Sequence, residues 1–182
     1  VGGGFTSASD AESEWIEIEN LQFRQCWPMS IRITSSQNIV FRSLIITDSK
    51  WAIYAHSPNT QHIIVEDSAW NQDPSGKLWT DLPWASLHHG KHSYYNGAFF
   101  FSTGITGNVI IRNNTIRNAY NGIRMKGNQK RVRHLNKNVQ IYNNKFIRIR
   151  DNPIEPEISA YNWWIHHNEI NNAHAWFSLT EL

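Results

Sequence analysis

Short segments in which apolar and polar residues alternate recur along the whole chain. Six such segments begin at Trp15, Asn38, His62, Asn108, Asn138 and Asn162. Their starts are 23, 24, 46, 30 and 24 residues apart, which gives a base period of about 24 residues with two insertions. Alternation with a period of two predicts β-strands, and repetition at a fixed longer period predicts stacked structural repeats.

A second apolar block follows within each repeat, after a polar bend. These blocks begin at Ser30, Ala52, Asn96, Asn121, Asn152 and Ala175. A unit of this size cannot bury its apolar face alone, but it can do so by stacking on its neighbours. We therefore predict inward stacks along a solenoid, including Ile18, Phe41, Val65, Ile111 and Ile141.

The composition agrees with strands rather than helices. The chain contains 22 Ile and 20 Asn but only 8 Leu and 11 Ala, which favours β-branched strands separated by Asn-rich turns. Equivalent bend positions in four repeats carry Ser68, Asn114, Asn144 and Asn168. We predict that these side chains point inward and that the amides of neighbouring repeats hydrogen-bond to each other.

The clearest copies of the repeat lie in residues 109–116 with 121–125, and in residues 139–146. They resemble the right-handed parallel β-helix of the pectate-lyase-like superfamily, and the resemblance covers roughly residues 15–182. That superfamily includes lyases, glycoside hydrolases, epimerases and non-catalytic spikes. The resemblance therefore predicts the fold more specifically than the function.

The resemblance implies an all-β, right-handed parallel β-helix of about six coils. We expect residues 1–182 to form a single domain of this kind, with a long loop insertion near residues 74–95. We also expect the chain to be a fragment of a longer protein. The resemblance accordingly predicts a protein that acts on carbohydrates. The type of reaction depends on the individual side chains.

Both insertions border one predicted sheet, and loops beside a rigid sheet form the walls of a groove. The first wall carries aromatic and imidazole side chains, namely Trp79, Trp84, His88, His89, His92, Tyr94 and Tyr95. The second wall carries Lys130, Arg131, Arg133 and His134. Aromatic rings with polar edges suit stacking on sugars, so we predict a polysaccharide or oligosaccharide partner. Packing of the Trp and Tyr rings onto the coil is the alternative interpretation.

The alternation in the third strand of each repeat predicts the floor of the groove. The residues expected on this face are Tyr54, His56, Arg124, Lys126, Glu155 and Glu157. Because coils stack about 4.8 Å apart, Arg124 should neighbour Glu155 in the next coil. Lys126 should neighbour Glu157 in the same way. A ladder of salt bridges between coils is the competing structural interpretation.

Two carboxylates on one strand face suit the hydrolysis of a glycosidic bond. At positions i and i+2 their Cα atoms are roughly 6.5–7 Å apart, which leaves room for a water molecule, as in inverting glycosidases. Glu155, beside Arg124, is predicted to keep a low pKa and to act as the base, while Glu157 acts as the acid. Asp151 is a substitute for either carboxylate. An inverting glycoside hydrolase is the leading prediction.

A polysaccharide lyase acting on uronates would use the same floor differently. Arg124 and Lys126 would neutralise the substrate carboxylate. The base or acid would then be Lys126, His89 or Tyr95. The two glutamates would repel a polyuronate, whereas the basic second wall would attract it. A non-catalytic glycan-binding or structural module is the remaining alternative.

The last part of the chain strengthens the carbohydrate hypothesis by a second resemblance. Residues 151–157, 163–168 and 174–178 resemble uncharacterised β-helix repeat proteins that are generally regarded as carbohydrate-active. This resemblance implies that Glu155, Glu157 and His174 are site residues. The acid and base roles of the two glutamates are those argued above, and His174 is a substrate-binding candidate.

Histidine and aspartate positions leave metal alternatives open, although no metal site or cofactor is predicted. His88 and His92 are four residues apart and His166 adjoins His167, but no cysteine cluster accompanies them. Calcium could bind through carboxylates such as Asp67, Asp73 or Asp81.

The overall charge and hydropathy exclude two classes of partner. The net charge of +2 is too balanced for a nucleic-acid-binding protein. No stretch approaches the roughly 18 consecutive apolar residues of a membrane helix, so no membrane partner is predicted. We expect a secreted or periplasmic location, with any signal peptide outside this chain.

Overall fold

The chain winds through three parallel β-sheets in every coil and forms a parallel β-helix. The computed structural model describes residues 5–6, 13–126, 135–156 and 160–179. Each sheet, here called A, B and C in chain order, contains six strands, one from each coil. All strand pairs in these sheets are parallel. The predicted all-β solenoid of about six coils is confirmed.

The strands follow the order sheet A, sheet B, sheet C throughout. Coils 1 and 2 contain β1 (Phe5–Thr6), β2 (Ser13–Glu19), β3 (Gln22–Arg24), β4 (Met29–Thr34), β5 (Ser36–Arg42) and β6 (Ile45–Thr47). Coils 3 and 4 contain β7 (Trp51–His56), β8 (Gln61–Glu66), β9 (Ala69–Asn71), β10 (Ala98–Thr103), β11 (Gly107–Arg112) and β12 (Thr115–Ala119). Coils 5 and 6 contain β13 (Asn121–Lys126), β14 (Lys137–Tyr142), β15 (Lys145–Ile149), β16 (Ile154–Glu155), β17 (Tyr161–His166) and β18 (Glu169–Ala173).

The core is a set of aligned apolar side chains that run along the axis. One inward column of sheet B comprises Ile18, Phe41, Val65, Ile111, Ile141 and Ile165, each in register with the next. The first five are buried, as predicted. Complete burial of an Ile or Val side chain contributes about 1.5–3 kcal/mol, so stacking supplies what one coil cannot supply alone.

An amide ladder lines the interior bend between sheets B and C. The Asn114 amide nitrogen donates to Asn144 Oδ1 at 2.9 Å, and that of Asn144 donates to Asn168 Oδ1 at 3.0 Å. Asn114 Oδ1 in turn accepts from the backbone N–H of Ser68 at 2.9 Å. The prediction for this column is confirmed, because the ladder satisfies polar groups that a tight interior bend would otherwise leave buried without partners.

Asparagine also occupies many positions where the backbone is left-handed. Asn108, Asn138 and Asn162 have φ between 54° and 56° at the second position of three successive sheet B strands, and Asn38 has φ 56° at the third position of β5. Asn enters this conformation more readily than other residues with a Cβ atom. The high Asn content therefore reflects left-handed positions within the strands as well as the predicted turns.

The long insertion joins sheet C of coil 3 to sheet A of coil 4, as predicted. It contains α1 (Lys77–Thr80), α2 (Trp84–His88) and a 3₁₀ turn (Ser93–Tyr95). Leu78 and Leu87 from the insertion pack with the fully buried Tyr120, which follows β12. This small second core fixes the insertion on the coil. No helix in the described part of the chain is long and apolar enough to cross a membrane.

Candidate functional site

The outward side chains of sheet A form two columns parallel to the axis. The first column is Arg32, Tyr54, Phe101, Arg124 and Glu155, and the second is Thr34, His56, Thr103 and Lys126. The predicted neighbours Arg124 and Glu155 are therefore in register. The columns also confirm that Tyr54 and His56 lie upstream on the same face.

Glu155 is held in an ion pair and is not open to solvent. Its Oε2 atom lies 2.6 Å from Arg124 Nε and 3.4 Å from the amide nitrogen of Asn121. The residue is only 3% exposed, although its register places it on the outer face. A buried carboxylate requires such a partner, because desolvation otherwise disfavours its charge. The expectation of an open carboxylate on the groove floor is not met at Glu155.

The second carboxylate and the basic wall belong to the undescribed parts of the chain. Glu157, together with Lys130, Arg131, Arg133 and His134, lies outside the described residues. Lys126 is the last residue of β13 and is half-buried. The roles predicted for Glu157 and for the second wall therefore stay predictions.

Trp84, the first residue of α2, connects the insertion to the end of coil 5. Its ring stacks on two imidazoles, with His88 at 4.4 Å and His174 at 5.9 Å between ring centroids. Its indole N–H donates to Asp151 Oδ1 at 3.2 Å. Asp151 is 7% exposed, so this bond satisfies one of its oxygens. Four of the predicted site residues thus come together here, two of them from the insertion and two from the coil.

His88 continues this cluster through a buried tyrosine. Its Nδ1 atom lies 2.7 Å from the Tyr120 hydroxyl. Burial and the adjacent Asp151 carboxylate raise the pKa of Tyr120, so its hydroxyl stays protonated. When the Tyr120 hydroxyl donates its hydrogen bond to Asp151, the phenol oxygen can accept a hydrogen bond from His88 Nδ1–H. Nε2 of His88 then carries the lone pair.

The electrostatics around His88 favour the neutral imidazole. Burial lowers its pKa, and the neighbouring His89 lowers it further, with smaller effects from Arg124 and Lys126 in the same direction. Asp151 opposes these effects but does not outweigh them. His88 is half-buried at the junction of the insertion and sheet A. A neutral imidazole in this place can accept a proton at near-neutral pH.

Among the described residues on the outer face of sheet A, the accessible charged side chains are basic. Arg32 is exposed and Lys126 is half-buried, whereas the acidic Glu155 is covered and paired. Burial lowers the pKa of Lys50 beside β7, and the charge of Arg124 adds to that effect. Burial also lowers the pKa of His56, with a further contribution from Arg32. The basic side chains on and beside sheet A are therefore close enough for the charge of one to lower the pKa of another.

An aromatic cluster lies upstream of these cations. Tyr54 and Phe101 are 5.4 Å apart at 19°, and Trp51 stacks on both rings at 5.3–5.5 Å. His56 stacks on Tyr54 at 5.6 Å. Trp51 and Phe101 were not among the predicted site residues. The period-two alternation would have found Phe101, because it aligns with Tyr54 in register.

The remaining residues of the predicted aromatic wall lie elsewhere. Tyr94 and Tyr95 pack against Trp27, with centroids 6.1 and 5.9 Å from it. Burial, followed by the neighbouring Tyr94, raises the pKa of Tyr95 to about 12, which makes it a weak acid. Trp79 lies under the guanidinium of Arg150 at 5.7 Å. These contacts are of the kind that the alternative interpretation expects, and a role of the three rings in binding a glycan stays a prediction.

His89 and His92 occupy different surroundings. His89 is exposed, and its ring lies 3.8 Å from that of His88. His92 bonds to Ser86 Oγ through Nδ1 at 2.7 Å. Of the two, only His89 belongs to the cluster around His88.

The metal alternatives find no cluster among the residues that the structure describes. Within those residues, no group of three or more His, Cys, Asp or Glu could hold a metal ion. Asp73 uses its oxygens to cap α1, accepting from the backbone N–H groups of Ser75 at 3.0 Å and Leu78 at 2.6 Å. His166 and His167 are bonded to each other at 2.7 Å.

Comparisons with protein-family models, with curated proteins and with solved structures give no match to this chain. The architecture itself is established by the strand pairing, which gives three parallel sheets and six coils. Arguments about function therefore rest on the side chains of sheet A and the insertion.

Proposed function

We propose that this protein binds and cleaves an acidic polysaccharide on the outer face of sheet A. The observation that carries the proposal is the combination of exposed or half-buried cations with an aromatic cluster beside the helical insertion. Arg32 and Lys126 supply positive charge, and Tyr54 with Phe101 supplies flat apolar surface. A uronate chain requires both features, because each sugar carries a carboxylate and an apolar ring face.

The reaction that suits this arrangement is β-elimination. A base removes the proton at C5 of a uronate, a double bond forms between C4 and C5, and the C4–O bond to the next sugar breaks while its oxygen takes a proton from water. We assign the base to Nε2 of His88, because that atom carries the lone pair when Nδ1–H is bonded to Tyr120. Lys126 would neutralise the substrate carboxylate, because the charge of Arg124 is already paired with Glu155.

The pairing of Glu155 with Arg124 removes the main objection to an acidic substrate. An open carboxylate would repel a polyuronate, but this one is buried and 2.6 Å from a guanidinium. Superfamily membership is a related proposal. It is supported by the three-sheet coil and by the amide ladder at the bend between sheets B and C.

Hydrolysis through carboxylates is the second candidate. It is favoured by the positions of Asp151 and Glu155, whose charges both act on the buried Tyr120, and Asp151 also bonds to Trp84 of the insertion. In this scheme Glu157 would join them as the acid. The nature of the products separates the two reactions, since elimination leaves an unsaturated uronate whereas hydrolysis does not.

The test is a product assay on acidic polysaccharides such as polygalacturonate and alginate, with and without added calcium. Elimination predicts ultraviolet absorbance that grows with cleavage. Lys126→Gln should reduce the rate by about 10²-fold, since one group that stabilises developing negative charge contributes about that much. Lys145→Gln is the matched control, because Lys145 lies on sheet C and its side chain is 60% exposed. Reducing ends without absorbance would favour hydrolysis, and no binding or cleavage of any acidic glycan would overturn the proposal.

A further inference from the structure

A second surface with different chemistry lies on the outer face of sheet B. A trough of about 390 Å³ runs along the axis there. Its floor is aliphatic and consists of Val40, Ile64 and Ile110, which are in register on three successive strands. All three side chains are half-buried. The trough therefore offers a continuous apolar strip that no described residue covers.

One wall of the trough is a row of amides. The side-chain N–H of Asn162 donates to Asn138 Oδ1, and that of Asn138 donates to Asn108 Oδ1, both at 2.9 Å. A primary amide has two N–H donors and two acceptor lone pairs. Each bond along the row uses one of them, so further donors and acceptors remain for hydroxyl groups. The left-handed backbone at these positions holds the amides at a regular spacing.

Exposed tryptophans stand near both ends of the strip. Trp15 on β2 lines the trough and is 80% exposed. Trp164 on β17 continues the floor column beyond Gln140 and is 61% exposed. The two strands are five strand spacings apart, or about 24 Å. This length suits an extended chain molecule rather than a compact one.

The trough lining carries no permanent charge and has His62 as its one titratable side chain among the described residues, which distinguishes it from sheet A. No Asp, Glu, Lys or Arg is among the described residues that line it. In the neighbouring outward column of sheet B, acidic and basic side chains alternate. Glu66 accepts hydrogen bonds from Arg42 and Arg112 at 2.6 Å each. The charges beside the trough therefore compensate each other. An acidic ligand gains little here, whereas a neutral hydroxylated one meets amides and aromatic rings.

Two other occupants fit less well. A peptide strand would need a free sheet edge, but the backbone groups of this face are used within the sheet. A second copy of the chain would need a broadly apolar face, whereas here a single aliphatic column lies between amides and charges. We infer that the outer face of sheet B binds a neutral polysaccharide in extended conformation. The inference does not depend on the reaction proposed for sheet A.

The experiment measures the binding of neutral polysaccharides, namely mixed-linkage β-glucan, xyloglucan and galactomannan, by affinity electrophoresis and calorimetry. Trp164→Ala should weaken the best of them by about tenfold, as loss of an aromatic anchor does. Ile110→Thr tests the floor independently and keeps a β-branched residue. Trp176→Ala is the matched control, because Trp176 is 70% exposed and lies outside sheet B.

Several results would overturn the inference. The inference is wrong if the protein binds none of the neutral glycans, or if Trp164→Ala and Ile110→Thr both leave the binding unchanged. It is also wrong if Lys126→Gln abolishes the binding. A dimer in sedimentation velocity that Trp164→Ala dissociates would assign the face to a second copy instead. If one variant does not fold, as judged by circular dichroism, the other decides the outcome. Binding and cleavage of acidic glycans are measured in separate assays. A lack of binding to neutral glycans therefore does not affect the proposal for sheet A.

Discussion

Sheets A and B are built from the same repeat and lie on the same solenoid, yet their outer faces differ in chemistry. Sheet A carries Arg32 and Lys126 on its outer face, its acidic Glu155 is covered and paired with Arg124, and the insertion packs beside it. Sheet B carries amides, an aliphatic strip and a charge column that compensates itself. The core fixes the backbone of both faces equally. Outward residues alone therefore decide what each face can bind.

The largest difference between the faces should appear when His88 is changed. His88→Asn keeps a donor near Tyr120 but removes the base, so turnover on an acidic glycan should fall by about 10²-fold. Binding of neutral glycans on sheet B should not change. Steady-state kinetics measures the effect, and His92→Asn is the control because His92 lies in the same insertion and its ring nitrogen bonds to Ser86 Oγ rather than to the cluster around His88. A rate equal to that of the unchanged protein would remove His88 from the mechanism.

The pH dependence sharpens the same assignment. A base works only when unprotonated, so kcat/KM should fall as the pH drops through the pKa of His88. Burial and His89 lower that pKa below its ordinary value of 6.5, and activity should therefore be on its plateau at pH 7. The acidic limb should disappear in His88→Asn. A limb centred above pH 7 would contradict the assignment.

The fold was predictable from the sequence because every coil repeats the same constraint. Each inward residue of a column such as Ile18 and Phe41 must fit the coil above and below, which enforces alternation and period together. Asn144 was predictable for the same reason, since its place in the bend recurs. The register of Arg124 and Glu155 followed from stacking alone.

The site was only partly predictable, because it depends on contacts that are distant in sequence. Tyr120 lies 32 residues from its partner His88, and nothing in the local pattern of either one indicates the bond. Alternation places Glu155 on the outer face but does not show that other side chains will cover it. The trough on sheet B escaped prediction because the alternating pattern places Asn108, Asn138 and Asn162 at the starts of strands but does not show that their amides bond to each other across coils.

Glu66 tests whether sheet B depends on charge compensation. Glu66→Gln would leave Arg42 and Arg112 without their shared carboxylate, so the free energy of unfolding should fall by about 1–3 kcal/mol. Sheet B should also acquire weak affinity for acidic glycans. Urea denaturation measures the first effect and affinity electrophoresis the second. Glu169→Gln is the control, because its pair with Lys145 is exposed and should contribute at most about 1 kcal/mol.

The contribution of Glu66 should also depend on pH. Burial acts to raise its pKa, but the hydrogen bonds from Arg42 and Arg112 outweigh this effect and lower it below the ordinary 4.5. A lowered pKa in the folded state stabilises the protein above the unfolded value, and the stabilisation is lost as the pH falls through the folded value. The stability difference between the unchanged protein and Glu66→Gln should therefore shrink below about pH 4.5. A constant difference down to pH 3 would contradict this account.

Salt should separate the two faces without any mutation. Binding of an acidic glycan to sheet A should weaken several-fold from low to high ionic strength, because the Debye length shrinks from about 30 Å at 0.01 M to about 3 Å at 1 M. Binding of a neutral glycan to sheet B should hardly respond. Calorimetric titration at several salt concentrations provides the measurement. Equal salt dependence on both faces would show that they do not differ in the way proposed.

The smallest expected effect concerns the aromatic cluster of sheet A. Phe101→Leu keeps an apolar side chain of similar size in β10 but removes the ring that stacks on Tyr54 and Trp51. Aromatic pairs contribute about 0.5–1.5 kcal/mol beyond area burial, so affinity for an acidic glycan should fall by about two- to tenfold. Turnover at saturation should stay close to that of the unchanged protein, because Phe101 is in register one coil away from Arg124. A fall in turnover with unchanged affinity would instead place the ring among the reacting groups, and unchanged values for both would leave the cluster a purely structural role.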